Sequence, residues 1–444
     1  MSKTVKELEV TVDQLELGMR VVRLDRPWIE TDFLMQGFII QDQSDIDALV
    51  RQCDSVYIEA IYETVAKPER REAPKGLFAR RRSVPPPVKV AVQPAGSLKK
   101  ARVARPAAGE KVTYINKINT ERELPAARNA YSSAKTVVKN IMEGIRIGRM
   151  LDMNQARETV DHIVDSILRS KDALAWLTKI KDKDEYTAEH SLNVCILSAT
   201  FARHLGHDEK EIREIALCGL LHDVGKSKIP DEILNKEGRF TDEEFDLMRQ
   251  HTTFGRNLLM SLPNADRIAI DVAHSHHERL DGNGYPRGLQ AHQIPYNAKV
   301  IALTDSYDAI TSSRCYDRAR ASMEALDIIY KCKGTQFDDE LALEFIKCIG
   351  IYPPGSVVEF TNGEVGIIVS TDEKNKLRPR VIIVLDADKN PGRERIVDLN
   401  KGAVDDNQQQ YIIAREIPNG QFGVDIRDYL KKGLVIQGQS KPLG

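Results

Sequence analysis

The chain has 444 residues, 41% of them hydrophobic and 29% charged, a globular composition with room for two or three domains. Its 64 basic and 66 acidic residues leave a net charge of −2, so no global field favours a nucleic acid polymer or a membrane surface. No apolar run approaches the roughly 18 residues of a membrane span, and MSKTVKELEV lacks the apolar core of a signal peptide. Six cysteines lie scattered without a C-x-x-C pair, and the chain reads as cytoplasmic.

Residues 1–63 read as a small α+β unit of regulatory character. The stretches 8–12 and 55–59 have strand character, and 44–53 reads as a short helix capped by Ser44 or Asp45. Trp28, Phe33 and Phe38 serve either as its core or as the lining of a ligand groove, the core being the commoner use. Residues 64–111 differ in kind: prolines recur, and twelve Lys or Arg stand against two Glu between 67 and 105. Such a composition cannot bury a core, so a solvated basic linker is expected, its 80-RRR-82 run also able to meet an anion. From 112 to 180 the pattern is helical, with helices expected over 123–147 and 154–180 and Pro125 in the first turn of the former. Val160, Ile163, Val164, Ile167 and Leu168 share one face, to pack on a neighbouring bundle or on a second copy of the chain as a homodimer.

Residues 181–352 carry the chemistry. In 274-HSHHERLDGNGYPRGL-289, His276 and His277 point about 100° apart if helical, so both reach one centre only where that centre caps the helix end. The glycines that follow stop the helix there. Histidines and acids recur upstream and downstream: His190, His222-Asp223, His251, His276 and, from His277, Asp305, at intervals of 32, 29, 25 and 28 residues. Two antiparallel helices and a turn take roughly 30 residues, so this rhythm returns ligand-type side chains to one end of a helical bundle. One such histidine is ordinary core packing; six ligand-type residues in this rhythm, five of them histidines, are not.

His190, His222-Asp223 with Gly225-Lys226, His251, 276-HHER-279, Asp281-Gly282, 284-GYP-286, and Asp305 through Asp308 to Arg314 together resemble the HD-GYP phosphodiesterases over residues 180–370. The resemblance implies a mainly α protein: an HD-type all-helical catalytic bundle, preceded by the small α+β domain often found ahead of it. It implies hydrolysis of cyclic di-GMP to linear pGpG, and on to GMP, in bacterial signalling. The alternatives are a hydrolase of mixed cyclic GMP-AMP and a catalytically silent messenger receptor or adaptor. Degenerate members would lose ligands, whereas all seven are present here.

By the family pattern, His190, His222, Asp223 and Asp305 hold one divalent metal, and Asp223, His251, His276 and His277 the other. Imidazole and carboxylate donors favour iron or manganese. Asp223 bridges, Lys226 one turn past His222 meets a phosphate oxygen or the attacking water, and Asp308 orients a ligand as a member of the catalytic set. Tyr285, Arg314 and Arg318 join Lys226 as substrate contacts, although Asp317 and Cys315 depart from the family pattern around Arg314. The 278–289 loop is open to three uses: a substrate contact through Tyr285, a docking surface for a diguanylate cyclase, or a lid. A third metal is argued against. Its glutamate would sit four residues before His190, where Tyr186 stands, and Glu185 is about 140° away if the helix runs through it. After 352 a small β appendage is expected over 353–444, with a hairpin at Asn362-Gly363, strands over 379–386 and 411–416, and a short helix near 424–432.

Overall fold

The computed structural model describes residues 3–25, 38–40, 43–63, 111–180, 186–236, 238–312, 320–372 and 375–432. The chain divides into two compact units, residues 1–102 and 103–444.

In the first unit β1 (Lys3–Thr11), β2 (Arg20–Leu24), β3 (Phe38–Ile39) and β4 (Ser55–Glu63) form an antiparallel sheet in the order β1-β4-β2-β3. Helix α1 (Gln43–Gln52) contributes Leu49 to a core of Leu15, Val21, Leu24, Ile40, Cys53, Val56 and Ile58. Trp28 and Phe33 lie outside the described residues, as does the basic stretch 64–110. On β4 the core residues Val56 and Ile58 alternate, as a half-buried strand requires, whereas Val21 and Leu24 on β2 stand three apart across a register shift.

The second unit is helical up to residue 349. Its helices are α2 (Thr120–Arg146), α3 (Met153–Arg169), α4 (Lys171–Thr178), α5 (Tyr186–Leu205), α6 (Glu209–Leu221), α7 (Asp231–Leu234), α8 (Asp242–Arg249), α9 (His251–Met260), α10 (Arg267–Ser275), α11 (Tyr296–Thr311), α12 (Ser322–Lys331) and α13 (Asp339–Ile349). Residues 188–199 of α5 are buried on every side, so this helix runs through the middle of the bundle with α6 and α11 against it. Asn119 caps α2, and its onset at Thr120 puts Pro125 in the second turn instead of the first. The helix expected over 154–180 is two helices. Ser170 is extended (φ −155°, ψ 111°), and residues 116–117 serve the break: Lys117 N–H donates to Arg169 C=O at 2.8 Å and Lys171 N–H to Asn116 Oδ1 at 3.3 Å. Helical periodicity continues across the break, and the partners that open it lie more than 50 residues away in sequence.

Strands β5 (Val357–Phe360), β6 (Val365–Ser370), β7 (Arg380–Leu385), β8 (Pro391–Asp398) and β9 (Ile413–Ile417) form an antiparallel sheet in the order β8-β7-β6-β5-β9, followed by α14 (Ile426–Lys432). The β5–β6 turn falls at Asn362-Gly363, where Gly363 takes φ +88°. β8 was not foreseen, because 391-PGRERIVD-398 opens on Pro-Gly and continues with three charged residues in a row. The sheet is fastened to the bundle by Trp176, whose indole N–H donates to Val369 C=O at 3.0 Å. Among the described residues no helix is long and apolar enough to cross a membrane.

Candidate metal centre

Helix α6 opens on a reciprocal capping box between Asp208 and Glu211, and its apolar face is buried to Leu221. His222 is its last helical position. The backbone of Asp223 then leaves the helix (φ −101°, ψ 10°) for a tight turn over Val224–Lys228. His276 likewise occupies the C-terminal cap of α10, and His251 begins α9. Three of the five helices that present these groups therefore do so at a terminus, where neighbouring side chains can converge.

The described residues contain two groups whose candidate ligand atoms lie within 4.8 Å of one another: Asp223, His251, His276 and His277, and His190, His222 and Asp305. Asp223 stands between them. Its Oδ1 is 3.4 Å from His251 Nε2 and 3.7 Å from His276 Nε2, while its Oδ2 is 3.1 Å from His222 Nε2 and 3.6 Å from His190 Nε2. His190 Nε2 is also 3.0 Å from Asp305 Oδ1.

The imidazoles are oriented from behind. Nδ1–H of His222 donates to Gly219 C=O at 2.8 Å, that of His251 to Met248 C=O at 2.6 Å, and that of His276 to Val272 C=O at 3.1 Å. His190 Nδ1 donates to Asp308 Oδ2 at 2.8 Å. A backbone carbonyl can only accept, so the neutral rings carry their proton on Nδ1 and turn the Nε2 lone pair inward. Burial pushes His251 down to about 3 and, with the neighbouring histidines, holds His277 well below the usual range, so both stay neutral. Burial opposes the charge on Asp223, yet His222 and Lys226 hold its carboxyl well below the ordinary value. Burial likewise opposes the charge on His190, but Asp305 and Asp308 overcome it and raise the ring to about 8.

The result is a buried cage of acceptors turned on one another, with His251 and His276 Nε2 only 3.4 Å apart. His222 Nε2 and Asp223 Oδ1 are fully buried with no hydrogen-bond partner. Desolvated acceptors without donors are costly, and cations shared between the two groups satisfy all of them together. The donor set fits divalent metal, without a thiolate in either group.

Around this cage Lys226 Nζ pairs with Asp223 Oδ2. Asp308 holds His190 from behind and takes a weaker contact from Ser312 Oγ at 3.3 Å. The ring of Tyr285 stacks on His277, centroids 4.7 Å apart and planes 26° apart. Arg249 was not singled out from sequence, since it reads as one more charge on an exposed helix. Its guanidinium lies 5.1 Å from the Tyr285 ring centroid and 4.6 Å from that of Phe245. Being two residues before His251 was the available signal. Arg314, Arg318 and Glu185 lie outside the described residues. Helix α5 is described from Tyr186 on, so the angular argument against a third metal at Glu185 falls outside the described residues.

Of the charged residues of the 278–289 loop, Glu278 is turned inward, Arg279 is half-buried, and Asp281 and Arg287 are exposed. Glu278 is buried and accepts the N–H groups of Arg287 and Leu289, both at 2.8 Å. Arg279 clamps Asp281 at 2.9 Å and reaches Gln336 at 2.9 Å, tying the loop to the α12–α13 connection. Gly284 is obligatory, because a Cβ there would sit 2.3 Å from Arg279 N.

A helical bundle that gathers buried imidazoles and carboxylates into two groups sharing one aspartate defines a metal-dependent hydrolase. The chain matches the HD domain family over residues 174–341 and a domain of unknown function, DUF3391, over residues 7–156. It is 35% identical over 399 residues to the cyclic di-GMP phosphodiesterase PA4108 of Pseudomonas aeruginosa, an alignment covering 89% of this chain and 90% of that one. A cyclic di-GMP phosphodiesterase of Thermotoga maritima is 37% identical over 194 residues, 43% of this chain and 52% of that one. A 3′3′-cGAMP-specific phosphodiesterase of Vibrio cholerae is 34% identical over 157 residues, 35% of this chain and 36% of that one. The chain belongs to the HD-GYP family of cyclic dinucleotide phosphodiesterases.

Proposed function

We propose that this enzyme opens a phosphodiester of cyclic di-GMP to give linear pGpG and cuts onward to GMP, in the cytoplasm, with two divalent ions, iron or manganese, at the cage. The observation that carries the reading is Asp223, whose two oxygens face the two ligand groups separately. Asp223 with His190, His222 and Asp305 would hold one ion, and with His251, His276 and His277 the other. When bound, such a pair supplies a water activated at neutral pH and charge to stabilise the phosphate in the transition state. The chain's own contribution is orientation. The backbone carbonyls behind His222, His251 and His276, and Asp308 behind His190, fix the ligand rings before substrate arrives. Lys226, held on Asp223, is placed to meet a phosphate oxygen, and the Tyr285–Arg249 pair offers a purine a ring to lie against and a cation beside it. Arg314 and Arg318 are assigned to the second phosphate.

The test is turnover by iron- or manganese-loaded protein of cyclic di-GMP, 3′3′-cGAMP and pGpG, followed by chromatography. Metal-dependent release of pGpG supports the reading. Binding of the dinucleotide without turnover under any metal makes the chain a receptor and overturns it. A preference for the mixed dinucleotide is the second reading, favoured by the resemblance to the Vibrio cholerae enzyme. Elemental analysis of the loaded protein checks the metal count, and a third ion held by Glu185 would correct it.

A further inference from the structure

Helix α8 is eight residues long, closed at its start by a reciprocal capping box between Thr241 and Glu244, and none of its residues is buried. Core packing therefore does not account for Phe245, which stands 41% exposed. Phe245 and Arg249 are one turn apart and share a face of the helix. That face meets the metal centre through Tyr285. The Phe245 and Tyr285 ring centroids are 6.4 Å apart with planes at 75°, and Tyr285 in turn stacks on His277. A ladder of rings thus leads outward from a ligand-type histidine to an exposed one.

The guanidinium of Arg249 lies over both outer rings, 4.6 Å from the Phe245 centroid and 5.1 Å from that of Tyr285. Its Nη1 makes one long contact, with the exposed Asp246 at 3.4 Å. Its Nε is buried with no hydrogen-bond partner among the described residues. A guanidinium carries five N–H donors and accepts nothing, so an incoming acceptor completes it. Guanine offers two acceptors on one edge, O6 and N7, which match the guanidinium fork. Adenine puts an amino donor in the place of O6, and two donors cannot pair. A base laid against the ring of Phe245 brings that edge to Arg249.

We propose that Phe245 and Arg249 form the seat of one guanine of the substrate, Phe245 by stacking and Arg249 by reading the O6/N7 edge. The seat rests on the reading of the centre as a cyclic dinucleotide hydrolase; what it adds is the way round the substrate lies. A ring with two guanines is the same either way round. With the guanine of 3′3′-cGAMP in the seat, one particular phosphodiester of its two faces the cage. Water adds across that P–O3′ bond, hydroxyl to phosphorus and proton to the leaving 3′ oxygen, so one linear isomer, pApG or pGpA, forms first.

The test gives 3′3′-cGAMP to the manganese-loaded full chain and separates the two isomers at low conversion, with GMP and AMP titrated in parallel by calorimetry. Wild type is expected to form one isomer in at least about fivefold excess, and to bind GMP at least about fivefold tighter than AMP. Arg249→Met should bring both ratios towards one with its bound metal unchanged. Phe245→Ala should weaken GMP and AMP alike, by roughly 5- to 150-fold, the range of base stacking. An arginine that only steadied Tyr285 and His277 would, when removed, lower metal and rate and leave both ratios unmoved. Should Arg249→Met fail to fold, Arg249→Gln is expected to shift the ratios towards adenine. Equal isomers or equal GMP and AMP affinities in wild type overturn the seat, as do wild-type ratios in folded Arg249→Met protein. Wild type that opens no dinucleotide under any metal overturns the hydrolase reading instead, and the GMP-to-AMP ratio then still decides the seat.

Discussion

Gly225→Ala is the substitution by which the geometry of the centre is most sharply tested. Gly225 lies in the turn between Asp223 and Lys226, where the chain passes the first turn of α9 backbone to backbone. A Cβ at this position would sit 2.0 Å from His251 C=O, 2.3 Å from Gly255 N and 2.9 Å from Gly255 Cα. Ordinary contact begins near 3.4 Å, so α9 must withdraw from the turn by about 1.4 Å, and no flexible side chain can absorb the shift. The displacement shifts the backbone that carries His251, whose Nε2 now lies 3.4 Å from Asp223 Oδ1. Overpacking of this kind costs about 1–3 kcal/mol of stability or more. A misplacement of about 1 Å in catalytic geometry costs roughly 100-fold in rate. The expected outcome is a folded protein of lowered melting temperature, depleted in metal at the site containing His251, with turnover down by about two orders of magnitude. Elemental analysis, thermal unfolding and product chromatography read the three effects. Gly392→Ala, where a Cβ meets nothing within 4 Å, is the silent control. Full metal occupancy and unchanged turnover in Gly225→Ala would refute the close approach on which the pairing of Asp223 with His251 depends.

Other outcomes follow from the same arrangement. Asp223→Ala or His222→Ala is expected to abolish hydrolysis and lower bound metal; wild-type turnover by a folded Asp223→Ala protein would sink the bridging role. Asp308→Asn removes the charged acceptor behind His190 and should weaken metal binding about 10- to 100-fold, measured by competition with a chelator. Burial is minimal at Asp281, and the hydrogen bond from Arg279 depresses its carboxyl to about 2. The stabilising charge pair is thus complete above the ordinary value of 3.8 and is lost as pH falls through about 2. In Arg279→Ala the titration should return towards 3.8, followed by carboxyl NMR, and an unmoved value would exclude the clamp. A chain beginning at residue 103 contains every ligand and its own compact unit, and should keep metal and activity; if it folds but is inactive, the N-terminal unit belongs to the catalytic machinery.

The ligand-type residues were legible in the sequence because their spacing tracks helix geometry: about 30 residues per helical hairpin returns His190, His222, His251 and His276 to one end of a bundle. The adjacency of His276 and His277 to a glycine loop likewise placed them at a helix end, as the C-terminal cap of α10 now shows. Strong local signals fixed the β5–β6 hairpin at Asn362-Gly363 and the short helix α14. Only the tertiary structure decided what depends on partners distant in the chain. Periodicity alone carried 154–180 as one helix, whereas the chain breaks at Ser170, with residues 116–117 bonded to the Arg169 carbonyl and the Lys171 N–H on either side. Glu278 and Arg279 stand in the motif like catalytic residues, yet Glu278 is buried accepting the N–H groups of Arg287 and Leu289, and Arg279 holds Asp281 and Gln336. Arg249 joins the centre through Tyr285 and Phe245. Spacing along a helix encodes which residues share a face; which of those faces meets which, and what polar group must then be satisfied, is settled by packing across the fold.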